Sequence, residues 1–350
     1  MSDSPVFDAA EQPGATSVIS KSSAMMPHEE GFVLRDRYRL TNIVGQGGMG
    51  SIYRAEDLRL PGRLCAVKEV QPESGVSPEV QEQAQKQFLQ EASILARLDH
   101  PNLPKVSDFF QEQGRAYLVM DFVPGRDLRE LILDTWGRGE PLTEEQVMDW
   151  AVQIVDALDY LHTHEPPVLH RDIKPANLKL TPANRIKLVD FGLVKLMDQD
   201  DVRTITVVQG RGTVLYTPLE QYGGDSGHTD PRSDIYALGA TLYHLLTGQA
   251  PPSAKSRFLN PGRLQPPRQL NSALSEAVSD AVLWAMEMHP DQRPADVNQL
   301  LRALQGRERR LQVAPQTPET ELAAALRENR LLLLATLTLF ILAIVLTLMS

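Results

Sequence analysis

Between positions 172 and 190 the chain carries Asp172, Lys174, Asn177 and Asp190, set in His170-Arg171-Asp172-Ile173-Lys174-Pro175-Ala176-Asn177 and Asp190-Phe191-Gly192. Two carboxylates, an amide and an ammonium at this density suit phosphoryl transfer. One carboxylate can orient an attacking hydroxyl and take its proton. A second carboxylate and an amide oxygen can hold magnesium, a hard cation that prefers oxygen, and a lysine can offset charge on the moving group. Far upstream, Gly45-Gln46-Gly47-Gly48-Met49-Gly50 has the spacing G-x-G-x-x-G. Glycine lets a backbone approach phosphate closely, although a plain turn can show the same spacing.

The elements around these residues decide between the readings. Ser51-Ile52-Tyr53-Arg54-Ala55 follows the glycines and reads as a strand, as does Leu64-Cys65-Ala66-Val67-Lys68. A glycine loop between two strands is a hairpin that can fold over a nucleotide, whereas a dinucleotide fold would put a helix there. Side chains alternate along a strand, so Ala66 and Lys68 share one face, small enough for a flat base and charged for its phosphates. A helix follows, with Ser77 as its cap and Pro78 at its first position. Its apolar stripe is Phe88, Ala92, Leu95 and Leu98, and Glu91 falls on that side. An inward carboxylate needs a cation, and Lys68 is the candidate. Further on, Thr143-Glu144-Glu145-Gln146 is a capping box for a helix through Leu161. Another helix is expected from about Ser233-Asp234, stopped by Gly248. The outline is a strand-rich small lobe followed by a helix-rich large one.

The ordered set of glycine loop, Ala66-Val67-Lys68, inward Glu91, His170-Arg171-Asp172 with Asn177, and Asp190-Phe191-Gly192 resembles the eukaryotic-type protein kinases, most closely the membrane-bound bacterial Ser/Thr kinases of the Hanks type. The resemblance covers residues 38–304 and implies an α+β, bilobal kinase fold using ATP and Mg2+ to phosphorylate protein Ser/Thr hydroxyls. It implies that Asp172 is the catalytic base, that Lys68 and Glu91 form the activating ion pair, and that Lys174 marks Ser/Thr specificity. Asn177 and Asp190 would bind the metal. The nucleotide pocket would comprise Val44, Gly45, Gly47, Gly50, Ile52, Ala66, Lys68, Asp121, Val123 and Asp127, with Met120 as gatekeeper and Asp127 reaching the ribose. Leu95, His170 and Phe191 would form the spine joining the lobes. The chain departs from the family pattern at Pro218-Leu219-Glu220, where Ala-Pro-Glu is usual, and has no proline after Thr213. Glu220 keeps the acid, for which Arg293 is the expected partner. Arg171 beside the base suggests activation by phosphate on segment 190–220, with Thr204 and Thr206 as autophosphorylation sites and Thr213 facing Asp172 and Lys174. A homodimer could carry out that step in trans. A pseudokinase scaffold is the competing class, but such chains typically lose the Lys, the catalytic Asp or the Asp of Asp-Phe-Gly, and here Lys68, Glu91, Asp172, Asn177 and Asp190 are all present. A small-molecule kinase of related fold would not need the full segment with Thr213 and Glu220.

Composition bounds the rest. The 350 residues carry 35 basic and 45 acidic side chains, a net charge of −10 that leaves no basic excess for general nucleic-acid binding. The single Cys65 excludes an intrachain disulfide and a multi-thiolate zinc site. His162, His164 and His170 are expected to be structural rather than metal ligands. Residues 1–37 are expected to be a disordered segment and 305–330 a charged, Pro-containing linker. Residues 331–349 hold nine Leu and no charge; as a helix about 28 Å long they would span a bilayer. Arg327 and Arg330 lie just before the span and no Lys or Arg follows it, so the kinase lobes would be cytoplasmic, with residues 331–349 as a tail anchor in the plasma membrane.

Overall fold

The computed structural model describes residues 27–47, 50–70, 78–190, 213–222 and 229–308. The small lobe is a six-stranded antiparallel sheet of β1 (Val33–Leu34), β2 (Tyr38–Gly47), β3 (Gly50–Asp57), β4 (Leu64–Val70), β5 (Val106–Glu112) and β6 (Arg115–Asp121). Its spatial order is β1-β2-β3-β4-β6-β5. The glycine-rich connection joins β2 to β3, with Gly47 opposite Gly50, so the hairpin expected from the sequence is present. Gly50 is required there: its φ is +133°, and a Cβ would lie 2.0 Å from the Glu69 carbonyl oxygen. Helix α1 (Pro78–Leu95) has proline at its first position, as expected, while Ser77 lies outside the described residues. Phe88, Ala92, Leu95 and Leu98 are all buried.

The sheet has two unlike faces. Leu34, Tyr38, Tyr53, Cys65, Val67, Tyr117 and Val119 build a separate outer core. Ala66, Val70, Leu118 and Met120 instead join the main core with α1 and the large lobe. Residues 27–37 belong to this lobe, although the sequence reading assigned them to a disordered segment. Val33 and Leu34 pair with β2, and Phe32 packs on the outer core. Tertiary contacts hold them: His28 N donates to Tyr53 Oη at 2.9 Å, and His28 Nε2 meets Tyr117 Oη at 2.7 Å.

The large lobe is helical. Its elements are α2 (Leu128–Gly137), α3 (Glu144–His162), α4 (Pro231–Thr247), α5 (Ala254–Leu259), α6 (Pro267–Leu270), α7 (Glu276–Ala285) and α8 (Val297–Leu304). A small sheet of β7 (Arg126–Asp127), β8 (Leu178–Leu180) and β9 (Ile186–Leu188) sits beneath the junction of the lobes. The Thr143–Gln146 capping box of α3 is formed, and Gly248 ends α4 at φ 69°. Helix α4 begins two residues earlier than expected, at Pro231 behind an Asp230 cap. An Asp cap followed by proline at the first position is the stronger start signal, which leaves Ser233 and Asp234 free to face inward. After α8 the chain is not free at once: Glu308 accepts from Gln299 Nε2 at 2.6 Å and Arg302 Nε at 2.7 Å. Among the described residues no helix is long and apolar enough to cross a membrane; residues 331–349 lie outside them.

Candidate active site

The segment from His170 to Asn177 is held from below by Asp234. This carboxylate is buried within α4. It accepts the backbone N–H of His170 at 2.9 Å, that of Arg171 at 2.8 Å, and His162 Nε2 at 2.9 Å. Burial works to raise the Asp234 pKa, but these donors outweigh it and hold the acid below its ordinary value. The bonds keep Arg171 at a positive φ of 63°. The opposite strand is fixed by Asn102, whose Nδ2 donates to Ile186 O at 2.7 Å and whose carbonyl accepts Leu188 N at 2.8 Å. Val189 N donates to Asn177 O at 2.9 Å, which lays the approach to Asp190 against the loop containing Asp172.

Within this frame the polar residues converge. Asp172 Oδ2 accepts Lys174 Nζ at 2.7 Å and Asn177 Nδ2 at 2.8 Å. Asn177 Nδ2 also donates to the Asp172 carbonyl at 2.8 Å, so both bonds use the amide nitrogen and leave the amide oxygen for other work. Asp172 Oδ1 is buried and has no hydrogen-bond partner among the described residues. A carboxylate oriented through one oxygen, with the other bare, is suited to receive a hydroxyl proton. Lys68, from the cleft face of β4, donates to Asp190 Oδ1, joining the small lobe to the large one. Burial pushes the Asp190 pKa up, but the Lys68 charge and hydrogen bond, with Lys174 behind, hold it below the usual carboxylate value. Asp190 itself sits at φ 57°.

Other expected residues fall around this cluster. Glu91 is 3% exposed on α1, and its charge reaches Arg171. The sequence joined Lys68 to Glu91 but not to Asp190, because a contact across 122 residues has no local signal. Ile52 and Ala66 face the cleft; Val44 is exposed at its mouth. Asp121 ends β6 and Val123 is buried just beyond it. Asp127 is the N-cap of α2 in a capping box with Glu130, accepting Glu130 N at 2.8 Å, so one of its oxygens already serves the helix. Leu95 and His170 are buried; burial lowers the His170 pKa, against the pull of Asp234. Phe191, Thr204 and Thr206 lie outside the described residues. The Glu220–Arg293 pair is formed and bidentate, at 2.6 and 3.0 Å, with Ser233 Oγ donating to Glu220 at 2.8 Å. Burial would raise the Glu220 pKa, but Arg293 overrides it and keeps the acid ionised.

Asp234 is the positioning residue the sequence reading missed. An acid among Ile235, Leu238 and Leu242 on a helix buried on nearly every side was itself a signal that a donor had to meet it.

The donor set also fits a hard divalent cation. Asp190 offers a carboxylate held ionised, and Asn177 an amide oxygen directed by its two nitrogen bonds, which matches magnesium bound by few protein oxygens alongside substrate phosphates.

The family description "Protein kinase domain" matches residues 38–304. The chain is similar to serine/threonine-protein kinase PknB of Mycobacterium tuberculosis, with 32% identity over 74% of this chain and 41% of that one. It is also similar to serine/threonine-protein kinase pkn3 of Myxococcus xanthus, with 32% identity over 80% of this chain and 52% of that one. The chain thus spans about two-fifths to half the length of these relatives. Among solved structures it resembles the apo form of PpkA-294, with a TM-score of 0.63, 27% identity, and 79% and 99% of the two chains covered. The PknI kinase domain of M. tuberculosis gives a TM-score of 0.60 and 26% identity over 80% and 99%. With the matched region running from the first residue of β2 to the last of α8, and a two-lobed fold shared with these structures, the chain belongs to the protein kinase domain family.

Proposed function

We propose that the chain is a serine/threonine protein kinase that transfers the γ-phosphoryl group of ATP to protein hydroxyls, its own among them. The observation that carries this reading is the convergence of Lys68, Asp172, Lys174, Asn177 and Asp190 from both lobes, with Asp172 Oδ1 left without a partner among the described residues. Asp172 Oδ1 receives the hydrogen bond of the acceptor Ser or Thr and takes its proton as the oxygen attacks phosphorus. Lys174, already on Asp172 Oδ2, is placed to neutralise the transferring group. Lys68 orients the α- and β-phosphates beneath the glycine loop, with Ile52 and Ala66 roofing the base and the backbone at Asp121 and Val123 as its edge. Magnesium, when held by Asn177 and Asp190, supplies charge neutralisation of the phosphates. Incubation of the full chain with Mg-ATP, read by intact mass, tests this. Mass gain by single phosphoryl groups supports it, and an unchanged mass with a proven generic substrate also untouched refutes it.

The same reading extends to activation and location. The Arg171 guanidinium has a buried Nε with no hydrogen-bond partner among the described residues, and burial lowers its pKa against the pull of Asp234 and Glu91. A phosphate on Thr204 or Thr206 would satisfy it. Site mapping on active protein that finds neither residue modified ends this part of the proposal. Transfer between two copies predicts an initial autophosphorylation rate that rises with the square of concentration. Residues 331–349 anchor the kinase to a membrane with the lobes on the ATP side. Recovery of the full chain in the soluble fraction without detergent would contradict the anchor.

A further inference from the structure

From Ile235 to Ser275 the chain holds no acidic residue, although it has 45 in all, and it holds Lys255, Arg257, Arg263 and Arg268. The middle of this stretch is α5 and the turn after it. Helical spacing divides α5 into two sides. Ala254 is buried, and Arg257 turns in with it, its Nη1 donating to Met286 O at 2.8 Å and to Tyr236 Oη at 3.1 Å. Lys255, Phe258 and Leu259 fall on the other side and are exposed. Phe258 is 65% exposed and Leu259 67%; Leu133 apart, no large apolar side chain among the described residues is more so. Arg263 folds back from the turn and donates to Ser256 Oγ at 2.7 Å, which brings a second cation alongside α5. Among the described residues no ion pair involves Lys255, Arg257, Arg263 or Arg268.

This face therefore joins projecting apolar side chains to cations that no acid of the protein meets. A partner that completes it is apolar within and anionic at its surface. That is the boundary of an anionic bilayer, where headgroup phosphates meet Lys255 and Arg263 while Phe258 and Leu259 reach the acyl region. A fluid surface needs no shape match, and the face offers projecting side chains rather than a pocket. The fit by charge is local, because a net charge of −10 keeps the rest of the chain from being drawn to anionic lipid. The tether agrees. The chain from 309 to 330 reaches at most about 75 Å when fully extended, so lobes anchored at 331–349 stay close to the bilayer. A face too weak to bind lipid from solution then meets it at high effective concentration.

We propose that the outward face of α5, formed by Lys255, Phe258, Leu259 and Arg263, docks the large lobe on an anionic lipid surface. This rests on the anchor assigned above to residues 331–349, and the experiment separates the two. The full chain is reconstituted, one copy per disc, into nanodiscs of phosphatidylcholine alone or with phosphatidylglycerol added. Amide exchange over residues 253–264 is then read by mass spectrometry. Exchange should be about tenfold slower in the anionic discs, and the difference should shrink in high salt. Phe258→Ser with Leu259→Ser, at two exposed positions, should abolish most of the slowing with the melting temperature unchanged. Lys255→Gln should reduce it to about threefold, and carries the test if the double variant does not fold. Equal exchange in the two kinds of disc overturns the proposal, as does slowing that the double variant retains. Slowing that needs a second chain in the disc, or an added protein substrate, makes the face a protein contact and also overturns it. A chain that stays lipid-free as the discs assemble refutes the anchor and this proposal with it. A chain that enters both discs and exchanges equally in them leaves the anchor standing and ends the docking alone.

Discussion

Lys68 and Glu69 are neighbours on β4 and face opposite ways. Glu69 points to the outer core, where it accepts Tyr53 Oη at 2.8 Å and Arg115 at 2.7 Å. Its side chain is wholly buried. Around it His28, Tyr53, Tyr117 and Arg115 close a network whose donors and acceptors match if the His28 imidazole is neutral with its Nε2 lone pair turned to Tyr117 and Arg115. Lys68 points to the cleft and reaches across it to Asp190, whose side chain is 31% exposed. On the cleft side, Asp172 Oδ1 is buried without a hydrogen-bond partner among the described residues. One face of the sheet is closed by the protein's own side chains; the other opens on a cleft whose polar groups come from both lobes. Alternation of side chains lets one strand serve both purposes without compromise.

The comparison can be broken by substitution. The largest effect is expected at Asp172. Asp172→Asn removes the bare oxygen and should lower the rate of phosphoryl transfer by about 10³-fold or more while nucleotide affinity stays within a few-fold. Rates from quenched-flow or radiolabel transfer, beside calorimetric ATP binding, check both halves. Next come the two β4 neighbours. Lys68→Met should lose transfer by about 10²-fold or more with a modest change in melting temperature, because Asp190 keeps access to water. Glu69→Ala should do the reverse, costing about 3 kcal/mol of stability by stranding Arg115 and Tyr53, with transfer preserved at a temperature where the variant is folded. Equal effects of the two on stability and on rate would mean the faces are not separate in function.

How far this was legible in sequence depended on how local each signal was. The Thr143 capping box and Gly248 are each specified within a few positions, and the structure places them as read; the motif from His170 to Asn177 is equally local, and it brings Lys174 and Asn177 onto Asp172. Asp234 was not legible as a support for the catalytic loop, because its partners lie 63 to 72 residues away. Residues 27–37 were assigned to a disordered segment because their composition carries no period. They are ordered by His28 and Phe32 against strands far along the chain, and a two-residue strand such as β1 leaves no pattern.

The smallest effect concerns the outer face and pH. Burial, and Arg115 after it, lower the His28 pKa below 6.5, while Glu69 and Glu112 pull the other way. A group whose folded pKa is depressed adds stability fully above its unfolded pKa, and that stability is lost as pH falls from 6.5 toward the folded value. Tyr53 and Tyr117, also facing it, have pKa values raised by burial and stay neutral in this window. His28→Gln keeps a neutral acceptor and removes the proton site. Between pH 7.5 and 5.5 wild type should therefore lose stability relative to His28→Gln, read as diverging melting curves. Parallel curves would show that His28 does not titrate against the network.

The central claim is that the cleft face, completed by ATP and a hydroxyl, transfers phosphate through Asp172. Its most direct test is a time course of intact mass for the full chain and for Asp172→Asn, side by side in Mg-ATP. The expected result is stepwise phosphoryl gain in the wild type, none in Asp172→Asn over the same hours, and equal nucleotide binding by both. Phosphoryl gain in Asp172→Asn at the wild-type rate, or none in either chain despite bound ATP, would contradict it.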